Sequence, residues 1–156
     1  MGFIVGFRGD AGYIKLEHPE LIIEFLVPEK DKGIDKPYRL RELGINATAL
    51  RFLDLLYQKT IKIKIHGFKI TLPHPANFAL HKLIIFQRRE KTDKAAKDRN
   101  TAIDILKALL KKGEEVTIKQ VFKSMHKKWQ NKIINGLKEL KENDILDILK
   151  SGITAG

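Results

Sequence analysis

The chain is 156 residues long, 43% hydrophobic and 31% charged, with a formal net charge of +11. That balance suits one modest globular core rather than a disordered chain, and no apolar run approaches the roughly 20 residues that a bilayer-spanning helix needs. Cysteine is absent, which excludes disulfides and thiolate metal sites.

The opening MGFIVGFRGD has no basic-then-apolar secretory layout and no Ser or Thr at position 6 for myristoylation, so a cytoplasmic location is expected. In chain order, residues 3–7, 13–18 and 21–27 read as strands, rich in Ile, Val, Phe and Tyr and separated by Gly-Asp-Ala-Gly and His-Pro breakers. PEKDKGIDKP is a charged loop. Asn46 then caps a predicted helix running to Gln58, with Ala49, Leu50, Leu53, Leu56 and Tyr57 at helical spacing.

TIKIKIHGFKITLP alternates strictly. Ile61, Ile63, Ile65, Phe68, Ile70 and Leu72 make an apolar face, and Lys62, Lys64, His66, Lys69 and Thr71 a basic one, which predicts a hairpin turning at His66-Gly67. Pro73 and Pro75 stop the strand. Helices are predicted at 76–89, 93–112, 117–127 and 130–142, with a short one after Asp144. Thr117 and Gln120 have the form of a capping box. Val121, Phe122, Met125 and Trp129 form one apolar stripe and Ile133, Ile134, Leu137 and Leu140 another, which predicts that their helices pack together.

The expected fold is α+β: a small mixed or antiparallel sheet of about 4–5 strands packed on helices, followed by a C-terminal helical bundle. The expected division is a β-rich part over 1–75 and a helical part over 76–156 that ends in a helical hairpin.

Helix 76–89 is apolar nearly all round, yet His81 and Arg88 share one line of it and Lys82 and Arg89 another. Buried cations must meet carboxylates, carbonyls or a bound anion. In the next helix Asp98 projects into the apolar face, with Arg99 beside it, while Lys97 lies on the opposite side. Two readings are open: a structural salt bridge, such as Asp98 to Arg88 or Arg89, or a basic wall for a triphosphate. Glu24 interrupts the apolar strand 21–27, and reads either as a solvent-facing edge glutamate or as a metal ligand. His18, His66, His74, His81 and His126 have no metal-ligand spacing.

LEHPELIIEFLVP, RELGINATALRFLDLLYQKTIKIKIHGFKITLPHPANFALHKLIIFQRREKTDKAAKD and KKWQNKIINGLKEL together resemble a bacterial group of polymerase-beta-like nucleotidyltransferase-fold proteins. LPHPANFALHKLIIFQRR…KAAKD is the most specific piece, similar to that group's P-x-P-x-x-[FY]-A-x-H-K-L-I…R-R…K-x-x-K-D signature. The resemblance implies transfer of a nucleoside monophosphate from a nucleoside triphosphate to a hydroxyl. It also implies two Mg²⁺ ions held by three carboxylates, two of them an acidic pair after a Gly-Ser or Gly-Gly turn. By its match Glu24 is the third carboxylate, catalytic and metal-binding. Lys82, Arg88, Arg89, Lys97 and Asp98 match the nucleotide-binding signature.

The Gly-rich turn with its acidic pair does not occur in this sequence. The expectation is therefore a truncated, split or degenerate member that does not catalyse transfer alone, with Mg²⁺ and nucleoside triphosphate as the family's cofactors or none bound by this chain. Expected partners are a nucleoside triphosphate, a nucleic acid or partner protein, and a second copy, with no membrane. The alternative is a non-catalytic basic binding module for nucleic acid or a partner protein, of the toxin–antitoxin or phage-defence kind.

Overall fold

The computed structural model describes residues 2–8, 13–29, 38–88 and 93–151. The chain divides into two units, Met1–Asp54 and Leu55–Gly156. The architecture is α+β, with strands in sheets of two and three and a helical C-terminal region.

In the first unit, β1 (Ile4–Arg8), β2 (Tyr13–His18) and β3 (Leu21–Glu24) form an antiparallel sheet in that order. β4 (Leu26–Pro28) runs parallel to β6 (Ile45–Leu50), and β5 (Tyr38–Leu40) runs antiparallel to it on the other side. The expected strand 21–27 is thus two strands broken at Phe25. One half pairs with β2 and the other with β6.

The helix predicted from Asn46 to Gln58 is corrected. Residues 45–50 are the central strand of a sheet, and helix α1 is only Leu53–Tyr57. Ile45, Ala47 and Ala49 also satisfy a period of two, and pairing on both edges settles the conflict in favour of the strand. Phe52 then takes a positive φ of 61°, through which no α-helix can run.

In the second unit the hairpin forms where predicted, with β7 (Thr60–Ile65) and β8 (Phe68–Pro73). His66 and Gly67 both have positive φ, 46° and 87°, as a two-residue turn matched to strand twist requires. Helices follow: α2 (Pro75–Ile85), α3 (Asp93–Lys111), α4 (Glu115–Ser124), α5 (Lys127–Glu139) and α6 (Asn143–Lys150). α4 starts at Glu115, so Thr117 lies inside it and does not cap it.

Two helices start on histidine. Nδ1 of His74 accepts from the Ala76 amide and Nδ1 of His126 from the Lys128 amide, each at 3.2 Å. Pro75 fits the first turn of α2 because its missing N–H would have no partner there anyway. α2 is the hub of the unit and packs on α3, α4 and α5. Leu80, Leu83, Ile84, Leu106, Phe122, Ile133 and Leu137 form its core. Among the described residues no helix is long and apolar enough to cross a membrane.

Candidate functional site

The apolar girth of α2 explains what its cations do. Packed by three other helices, α2 cannot leave an ammonium group without a partner. Lys82 solves this by pairing its Nζ with Oδ1 of Asp98 on α3, and the same Nζ lies 4.9 Å from the ring centroid of Phe78, one turn back on α2. The Lys82 side chain keeps 20% of its surface in solvent and that of Asp98 keeps 11%. Asp98 therefore does enter the buried face of α3, and a salt bridge does join α2 to α3, with Lys82 as partner.

Lys97 precedes Asp98 and is exposed. Arg88 ends the 3-10 turn Phe86–Arg88; its side chain, and Arg89 altogether, lie outside the described residues.

Glu24 ends β3, an edge strand of its sheet in the other unit. Its side chain is 45% exposed, and Oε1 lies 3.8 Å from Nζ of Lys15, the residue opposite on β2. Lys15 also reaches Glu17, at 3.3 Å. Among the described residues no three His, Asp or Glu side chains converge as they would around a metal ion. Two carboxylates that share one ammonium do not make the oxygen cage that a magnesium pair needs, so the described residues do not fit that group.

The structure adds contacts that sequence patterns did not single out. The Gln87 side-chain amide donates to the Leu83 carbonyl at 2.7 Å and, across to α5, to the Lys132 carbonyl at 3.0 Å. It can come this close because residue 136 is glycine: a Cβ there would stand 2.6 Å from Gln87 Nε2. A glycine inside a helical pattern was the only available signal. Two shallow clefts also lie in this unit. One, of about 390 Å³, is lined by Arg99, Asp104, Lys107 and Glu142, with Lys107 and Glu142 paired at 2.8 Å. The other, of about 330 Å³, is lined by Gln58, Asn77, Gln120 and Ser124. Asn77 is fully buried there and donates to the Leu55 carbonyl at 2.7 Å.

Charge is divided very unevenly. The unit Leu55–Gly156 holds 22 lysines and arginines against 10 aspartates and glutamates, whereas Met1–Asp54 holds 8 against 9. The whole basic excess thus belongs to the unit that carries the hairpin and helices α2 to α6.

A nucleotidyltransferase family model matches residues 7–127, most of the chain, and the chain belongs to that family. No curated protein and no solved structure matches it.

Proposed function

We propose that this chain binds a nucleoside triphosphate and serves nucleotidyl transfer as a polymerase-beta-like member of its family. The family match over residues 7–127 carries this reading, and the cation-rich stretch from Lys82 to Lys97 lies inside the matched region. In this reading Lys82, Arg88, Arg89 and Lys97 contact the phosphates and Asp98 holds the Lys82 ammonium in place. An ammonium group has three N–H donors, so one spent on Asp98 leaves two for phosphate oxygens. A pre-positioned cation that is mostly shielded from water also attracts a phosphate more strongly than a free surface lysine does.

Calorimetric titration with ATP, CTP, GTP and UTP, each with and without Mg²⁺, tests the reading. The expected result is saturable binding of at least one nucleotide, weakened severalfold by Lys82→Ala and by Lys97→Ala. Lys97 is exposed, so its loss leaves the fold intact. No heat of binding for any nucleotide up to about millimolar, a binding free energy of about −4 kcal/mol, would refute it.

A further inference from the structure

We propose that the basic face of the β7–β8 hairpin binds the phosphodiester backbone of a nucleic acid. This goes beyond the nucleotide reading and does not depend on where a triphosphate sits.

Residues 60–73 contain no aspartate or glutamate. The period of two places Lys62, Lys64, Lys69 and Thr71 on one face of the ribbon, and all four are exposed. The register sets Lys62 opposite Thr71 and Lys64 directly opposite Lys69. Like charges directly opposite each other destabilise a strand pair. The repulsion cannot be relieved by slippage, because the two-residue turn with positive φ at His66 and Gly67 locks the register. Among the described residues, none of these three lysines meets a carboxylate.

A charge pattern that costs the fold stability and finds no partner among the described residues points to an external one. The uneven division of charge points the same way. A lysine excess serving solubility alone would have no reason to avoid residues 1–54, which are close to neutral.

The shape suits a polyanion as well. Two strands about 4.8 Å apart make a ribbon narrow enough for a nucleic-acid groove. Lysine is a compact point charge on a flexible stem, which suits phosphates at variable spacing better than it suits base edges. The threonine hydroxyl beside Lys62 offers a further phosphate contact of the kind that positions a protein without reading sequence. Binding should therefore be independent of sequence and strongly dependent on salt.

The test is fluorescence anisotropy of the full chain with two labelled probes of mixed sequence, a single-stranded RNA of about 20 nucleotides and a DNA duplex of about 20 base pairs, over about 50 to 200 mM salt. Three variants are compared with the unchanged protein. Lys62→Gln/Lys64→Gln/Lys69→Gln neutralises the hairpin face. Lys111→Gln/Lys112→Gln/Lys138→Gln removes the same charge from exposed positions in α5 and at the end of α3. Lys62→Arg/Lys64→Arg/Lys69→Arg keeps the charge on the hairpin, and circular dichroism checks that each variant is folded.

The hairpin glutamine variant should lose about two to three units of salt slope and about a hundredfold or more in affinity at about 100 mM salt. The helix variant should stay within about twofold, and the arginine variant should bind as the unchanged protein does. Preference for the RNA or for the duplex would name which backbone is the ligand. The proposal is overturned if both glutamine variants weaken binding equally, if the folded arginine variant fails to bind, or if the unchanged protein binds neither probe at the lowest salt.

Discussion

Replacing Gly136 with alanine should destabilise the helical unit, although alanine is the better helix residue. Gly136 is buried in α5, and a Cβ there would come 2.6 Å from Nε2 and 3.3 Å from Cδ of Gln87. The amide is the end of a flexible side chain, but hydrogen bonds to the Leu83 and Lys132 carbonyls hold it in place. Displacing it loses two bonds of about 1 kcal/mol each. Glycine to alanine inside a helix returns about 1 kcal/mol, so the net cost is about 1 kcal/mol. In a Gln87→Ala background the obstacle is gone. The next neighbour is Phe86 Cζ at 3.6 Å, an ordinary contact. There the same substitution should stabilise by about 1 kcal/mol, which makes the coupling between the two sites about 2 kcal/mol. Urea unfolding followed by the fluorescence of Trp129, the single tryptophan and itself on α5, measures all four proteins of the cycle. If Gly136→Ala stabilised both backgrounds equally, Gln87 would not be clamped against α5 and the reasoning would fail.

Asp98→Asn should cost about 2–3 kcal/mol in the same titration, below the figure for a fully buried pair because Lys82 still reaches solvent. The double replacement Lys82→Met/Asp98→Leu should recover most of that loss. His74 is held below its ordinary pKa of 6.5 by burial first and then by the charge of Lys59, with Glu114 opposing. The folded state therefore prefers neutral imidazole, the form whose Nδ1 can accept from the Ala76 amide. Because the unfolded chain takes up the proton first, this contribution is full above about pH 6.5 and is lost as pH falls through the folded value. His74→Asn, a cap that does not titrate, should flatten that limb of a plot of Tm against pH. Lys69→Thr removes a like charge from opposite Lys64 and should raise stability by about 0.2–1 kcal/mol while weakening nucleic-acid binding.

Local pattern and tertiary pairing account for what could be read ahead of the structure. The hairpin was legible to the residue because alternation, His66-Gly67 and the stopping prolines all act within fourteen consecutive positions. α2 and α3 were legible for the same reason, as was the intrusion of Asp98 into an apolar face. That Lys82 pairs with it was not, because the periodicity of one helix does not say which residue of another it will meet. β6 was misread because its neighbours, β4 and β5, lie elsewhere in the chain, and their pairing outweighs the helical spacing of Ala49, Leu50 and Leu53.

The Gln87 clamp also has a consequence in time. It joins positions 45 residues apart, whereas α2 and α3, which share the most extensive helix contact, are neighbours in sequence. Closing the longer loop costs more chain entropy, and its reward arrives only once α3 and α4 have ordered between the two ends. The clamp should therefore form after the rate-limiting step. Removing it would leave the refolding rate nearly unchanged and speed unfolding by about thirtyfold if the full 2 kcal/mol falls on that limb. A side chain that looks like a structural detail would then set how long this unit stays folded once formed.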